Sequence, residues 1–245
     1  FKSPMWITPL PPSLTALGEG SHGSILNGNY APNRLSSAWK PTPHRNRIKI
    51  YRVPVGSTLD RVAHLAATVA PVGNSFVYPD GDTTIVNKLV DGTFDVPASW
   101  TVNGLWSVSG AVAAKTVGVP AAQVYQAWAA SPAAADVLRI GVPVEATNGS
   151  NTFSFVHRST IGSGGQTVAV PSGTGLKTMS MTITGAQTYG GFTASTERSV
   201  TISAAYAYVQ TPACAPQGAF NYYAEAVNVS GIAGPLTSAV AATII

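Results

Sequence analysis

Apolar and polar residues alternate with a period of two through several short stretches of this chain, each bounded by glycine, proline, asparagine or serine. Residues 152–157 alternate in this way, and so do residues 177–184, where Met179, Met181 and Ile183 fall on one face and threonines or serine on the other. Residues 199–203 repeat the signature, and 205–209 continue it. Glycine-rich breaks at 162–165 and 172–175 separate these runs. Side chains on a strand point alternately to its two faces, so short alternating runs at this spacing predict a β-sandwich or jelly roll. Residues 120–135 fit either a helix, from their alanine content, or a strand, from the alternation of Val124, Gln126 and Trp128.

The N-terminal third follows another pattern. Residues 1–57 are rich in proline, asparagine, serine and glycine, with isolated aromatics such as Trp6, Tyr30 and Trp39. Proline fixes φ and lacks a donor, so this stretch reads as an extended arm that wraps its own domain or docks on a partner. Within it, residues 45–53 alternate: Ile48, Ile50 and Arg52 share one face, Arg47, Lys49 and Tyr51 the other, which predicts an edge strand with a basic face. Residues 57–70 predict a short helix, capped by Ser57 or Thr58, with Leu59, Val62, Ala63 and Ala66 on one stripe. A boundary near 78–88, at the turn residues Asp80, Gly81 and Asp82, divides the chain into an arm and docking segment (1–80), a β-sandwich (81–212) and a C-terminal β segment (213–245).

Composition sharpens this. Only 10% of the 245 residues are charged, against about 25% in an average domain. A surface of Ser, Thr, Ala and Gly packs on neighbours with few charges to desolvate. The net charge of +4 is concentrated at the start of the chain, where residues 1–61 hold eight basic residues against Glu19 and Asp60. Arg45, Arg47 and Lys49, with Trp6 and Trp39, are therefore the candidate partner-docking residues. No nucleic-acid motif accompanies them, and no nucleic-acid partner is expected. Cys214 is the single cysteine, which leaves no intrachain disulfide. No apolar run approaches the roughly 20 residues of a membrane span, and neither a membrane partner nor a signal peptide is expected.

The sequence carries no catalytic pattern. His22, His44, His64 and His157 stand in no metal-ligand spacing, so no metal or other cofactor is expected. No nucleophile elbow occurs, and residues 173–178, Gly-Thr-Gly-Leu-Lys-Thr, lack the Gly-Lys pair of a phosphate loop and read as a hairpin turn. Asp80, Asp82, Asp91 and Asp95 cluster in sequence without a calcium-loop pattern and read as turn and cap residues. The chain is expected not to be an enzyme.

Two stretches carry a family likeness. Asp91-Gly92-Thr93-Phe94-Asp95, followed by Trp100 and Trp106 and then by Tyr125-Gln126-Ala127-Trp128, resembles the opening and second strand of carbohydrate-binding-module-like, galactose-binding-type jelly rolls. Asp91 stands where that pattern has Asn, and Asp95 where it has Glu. Residues 220–240, with Tyr222-Tyr223, Ala226-Val227-Asn228, Ser230-Gly231 and Ser238, are similar to the last two strands of a fibronectin-III-type repeat, in a phrase common in bacteriophage tail proteins.

The resemblance implies a structural component of a bacteriophage virion (tail, fibre, spike or capsid decoration), assembling with copies of itself and other virion proteins through its arm. The alternative is a module that binds glycan on a host surface, with Trp100, Trp106, Trp128 and Tyr189 as its aromatic platforms. Trp100 and Trp106 also fit a core role.

Overall fold

The computed structural model describes residues 47–70, 75–81, 86–118, 122–149, 152–159, 165–227 and 231–245, with two earlier strands described in backbone only. The chain is mainly β. In order, its strands are β1 Thr15–Leu17, β2 Ser24–Asn29, β3 Arg47–Pro54, β4 Leu65–Val69, β5 Ser75–Asp80 and β6 Thr101–Asn103. They continue with β7 Trp106–Ser109, β8 Val112–Lys115, β9 Ala122–Ala127, β10 Val137–Asn148, β11 Phe153–Arg158 and β12 Gln166–Ala169. The last six are β13 Gly175–Thr182, β14 Tyr189–Ala194, β15 Ser199–Ile202, β16 Tyr206–Val209, β17 Gly218–Val227 and β18 Val240–Ile244. Among the described residues no α-helix forms, and a single 3-10 turn spans Pro97–Ser99.

The contacts divide the chain into two units, residues 1–83 with 218–244 and residues 84–217 with Ile245. In the first, β18-β17-β3-β4 form one sheet and β1-β2-β5 another. The segment 45–53 was expected at a sheet edge, but β3 lies between β17 and β4. Its partner β17 is more than 160 residues away in sequence, and nothing local announces so distant a pairing. The expected faces hold, with Ile48, Ile50 and Arg52 together, but Tyr51 on the other face is buried. Two buried carboxylates are satisfied here by different donors. Asp80 accepts from Arg52 Nη1 (2.6 Å), Tyr78 Oη (3.1 Å) and Tyr222 Oη (2.5 Å). Glu225 accepts from Tyr51 Oη and from Arg61 Nε (3.1 Å).

The helix expected over 57–70 is not formed. Asp60 Oδ1 accepts from the backbone N–H groups of Val62 (2.8 Å) and Ala63 (3.0 Å), and His64 N donates to the Asp60 carbonyl, which closes one turn. The chain then enters β4 against β3. A helix here would need its apolar stripe covered, yet Val62 is 88% exposed. The ladder with β3 supplies what an isolated helix lacks.

The second unit is a two-sheet sandwich. One sheet runs β13-β10-β15-β8-β7, with β16 also paired to β10, and the other runs β12-β11-β14-β9-β6. All pairings are antiparallel, and within the stretch 120–135 the residues Ala122–Ala127 form strand β9 rather than a helix. Leu138, Ile140, Val142 and Val144 project inward from β10 and meet Phe153, Phe155, Phe192 and Val124 of the facing sheet in one core. Burying each such side chain contributes about 1.5–3 kcal/mol. Met179, Met181 and Ile183 join it, as their alternation predicts. Residues 173–174, expected in a hairpin, instead connect β12 to β13, which lie in opposite sheets.

The β7–β8 hairpin turns on Gly110 and Ala111, both at φ 59°. A two-residue hairpin turn with positive φ at both central positions suits glycine or asparagine, and an alanine is strained there. Ala111 is exposed and its replacement removes no packing. Ala111→Gly is therefore expected to stabilise the protein by roughly 0.5–1 kcal/mol in denaturant unfolding; a loss of stability would place the strain elsewhere.

Candidate functional site

The three tryptophans considered as sugar platforms lie in the sandwich core. Trp100 is 5% exposed, with its ring 4.7 Å from Phe94 and its Nε1 donating to the Asp91 carbonyl (3.0 Å). Trp106 packs near Phe153 and Trp128 near Phe155 and His157. A platform needs a ring face open to ligand, so Trp100, Trp106 and Trp128 pack the interior instead. Trp128 sits flush on Gly190, where a Cβ would come within 2.3 Å of the indole. His157, fully buried beside it, places Nε2 3.1 Å from the Gly185 carbonyl; burial pushes its imidazole below the ordinary value, against the pull of that carbonyl.

The motif residues 91–95 hold a loop. Gln126 clamps the Asp91 backbone, with Oε1 accepting from Asp91 N (3.1 Å) and Nε2 donating to Asp91 O (3.0 Å). The Asp91 carboxylate accepts from Thr93 Oγ1 and Val96 N. Phe94 is fully buried at φ 59°, so its ring is wedged against Trp100 at a backbone cost that the packing offsets. Among the described residues no group of three or more His, Cys, Asp or Glu could hold a metal ion.

Of the expected docking residues, Trp6, Trp39 and Arg45 lie outside the described residues. Arg47 is exposed near the start of β3, and Lys49 is half-buried, in register with Glu225.

Tyr189 faces outward, and its strand neighbours build the candidate site. Because β9, β14 and β11 send Val124, Phe192 and Phe155 into the core, the residues between them point away from it. Register then defines three rows on the outward face of the five-stranded sheet. The first runs Ala127, Tyr189, Arg158. The second runs Thr101, Tyr125, Gly191, Val156, Thr167. The third runs Asn103, Gln123, Thr193, Ser154, Ala169. The Tyr189 ring meets Tyr125 edge-on at 5.4 Å; Tyr125 is itself only 5% exposed and Val156 is buried, so the middle of this face is covered and Tyr189 is its part-exposed ring. Gly191 leaves a bare spot between Tyr125 and Val156, and a Cβ there would strike the Val124 carbonyl at 2.2 Å.

Along these rows stand hydroxyls, two amides and two phenols, with Arg158 as the only charged side chain. Arg158 Nε is buried without a hydrogen-bond partner.

The opposite outward face differs. There Arg139 is buried and donates to Gln210 Oε1 and to the carbonyls of Ala215 and Ile245, so the segment after β16 covers it.

Sequence reasoning singled out Tyr189 but missed Tyr125, Gln123, Asn103 and Arg158. The available signal was the alternation of Val124, Gln126 and Trp128, which puts Tyr125 on the face opposite the tryptophan.

No family model matches the chain, and no curated protein matches it. Among solved structures it is similar to a fucolectin (an F-lectin) from striped bass (Morone saxatilis) serum, at 10% identity over 81% of this chain and 85% of that one, with a TM-score of 0.29. It is also similar to the BSP domain of a biofilm associated protein, at 10% identity over 98% of this chain and 61% of that one, with a TM-score of 0.21. Likenesses this slight bear neither on the site nor on its ligand.

Proposed function

We propose that this protein is a non-catalytic glycan-binding module whose site is the outward face of the five-stranded sheet. The reading rests on Tyr189, a part-exposed ring braced edge-on at 5.4 Å by the buried Tyr125 and set among Asn103, Gln123, Ser154 and Thr193. The C–H face of a pyranose stacks on an aromatic ring, and its hydroxyls exchange hydrogen bonds with neutral amides and hydroxyls that cost little to desolvate. On the other outward face the segment after β16 covers Arg139, and a second tyrosine pair, Tyr206 and Tyr208, stacks there at 6.3 Å with Tyr208 buried.

Tyr189→Ala is expected to weaken binding at least about tenfold in calorimetry against any oligosaccharide that an array identifies, with the fold retained, since the ring lies on the sheet face outside the core cluster. An intact protein that binds no glycan on a broad array, or a Tyr189→Ala variant that binds as well as its parent, would sink the reading.

A second reading, assembly with copies of itself or other virion proteins, draws on β4. This uncharged strand, Leu-Ala-Ala-Thr-Val, ends its sheet among the described residues, and Leu65 is 41% exposed. Edge strands without charge or proline favour pairing with another chain. Mass spectrometry of purified phage particles tests it: a fixed multi-copy stoichiometry is expected, and absence from particles refutes it.

A further inference from the structure

We infer that the glycan taken by this face carries a carboxylate, as a uronic or sialic acid does, and that Arg158 is the residue that recognises it. The inference rests on the glycan-binding reading above and deepens it.

Arg158 lies in register with Tyr189 on the neighbouring strand, which sets their Cβ atoms roughly 5 Å apart. A sugar stacked on the Tyr189 ring therefore holds its ring substituents within reach of the guanidinium. Ion pairs join Arg52 to Asp80 and Arg61 to Glu225, and neither involves Arg158. Its Nε is buried with no hydrogen-bond partner. Trp106 and Trp128 Nε1 in the core are also unpartnered, so what marks Arg158 is its place beside Tyr189 on the sheet face with no acid to pair it. Arginine presents its N–H groups as a planar fork that fits the two oxygens of a carboxylate, and a hydrogen bond between charged groups is about twice as strong as a neutral one.

The rest of the face agrees with one acidic group per site. No Asp or Glu stands in the three rows to repel an anion or to occupy the arginine internally. Gln123 and Asn103 are neutral and reach the surface, so they suit the hydroxyls of the flanking residues rather than further charge. A polyanion bound through many charges would want several cations, and this face has one.

The test uses the intact protein and probes that differ only in charge: tetragalacturonate, an alginate tetramer and sialyllactose, each beside its methyl ester. At least one free acid is expected to bind about tenfold or more tighter than its ester, with the difference shrinking as salt rises. Arg158→Gln is expected to bring acid and ester to within about twofold of each other, and Arg158→Lys to keep part of the preference. Loss of Arg158 removes no side-chain ion pair, so folding is expected to survive; matching thermal transitions for wild type and both variants check this. Equal binding of acid and ester, or a preference that persists in Arg158→Gln, overturns the acidic-ligand inference and leaves a neutral-glycan module. Absence of binding to every acid and ester, together with a blank neutral array, overturns the glycan reading itself.

Discussion

Asp80→Ala is expected to destabilise the first unit by about 3 kcal/mol, the largest loss foreseen for any single polar group of that unit. The Asp80 side chain is 3% exposed and that of Arg52 22%. The carboxylate accepts from Arg52, Tyr78 and Tyr222, and all three donors would lose their partner at once. Removing one member of a buried ion pair costs roughly 3–5 kcal/mol, because the other is left charged and desolvated. The lower end of that range applies, since part of the Arg52 guanidinium reaches water and recovers some solvation. Burial and the bond to Asp80 also hold the Tyr222 phenol well above its ordinary pKa, so it remains a donor throughout the neutral range. Tyr222→Phe removes one donor, leaves the carboxylate two, and is expected to cost about 1–2 kcal/mol. Since the chain divides into two units, hydrogen exchange of the β3 and β17 amides is the appropriate measurement. A change in their protection below about 1 kcal/mol for Asp80→Ala would show that the cluster contributes little.

Trp100→Ala distinguishes a core role from a platform role in one experiment. As a core residue it is expected to cost about 3–5 kcal/mol, the range for deleting a buried aromatic side chain. The loss combines the Phe94 contact, the hydrogen bond to the Asp91 carbonyl and the cavity left behind. Trp100→Phe keeps a ring beside Phe94 but leaves that carbonyl with the Gln126 bond alone, and is expected to cost clearly less. An exposed sugar platform would behave in the opposite way, with nearly unchanged unfolding and abolished binding. Guanidinium unfolding followed by the near-ultraviolet signal of the remaining aromatics reads the result. Stability unchanged in Trp100→Ala would refute the core assignment.

The strands of the sandwich were legible because alternation is a local property. Met179, Met181 and Ile183 declare their face by spacing alone, and they are buried as that spacing requires. Alternation also holds in β3, where Ile48 and Ile50 point to the core. Position within a sheet was not legible. Lys and Arg in β3 suggested an edge, yet β17, far along the chain, pairs with it on one side and β4 on the other. The helical spacing over 57–70 misled for the same reason, since periodicity does not say whether a helix will find a surface to cover its stripe.

The candidate site follows this division. The sequence by itself determined a mainly β chain, a sandwich in its second half, and aromatic residues in positions to matter. It could not tell a tryptophan that fills a core from one that meets a ligand, because each is apolar, flanked by turns and paired with small residues. Only the tertiary structure decided that Trp100, Trp106 and Trp128 fill the core while Tyr189 lies part-exposed on the other side of its sheet, beside the buried Tyr125. It also set Arg158 in register with Tyr189, from strands joined through two intervening elements. Local pattern fixes the two faces of each strand; which face is interior, and which residues meet across strands, depends on long-range pairing that no local window contains.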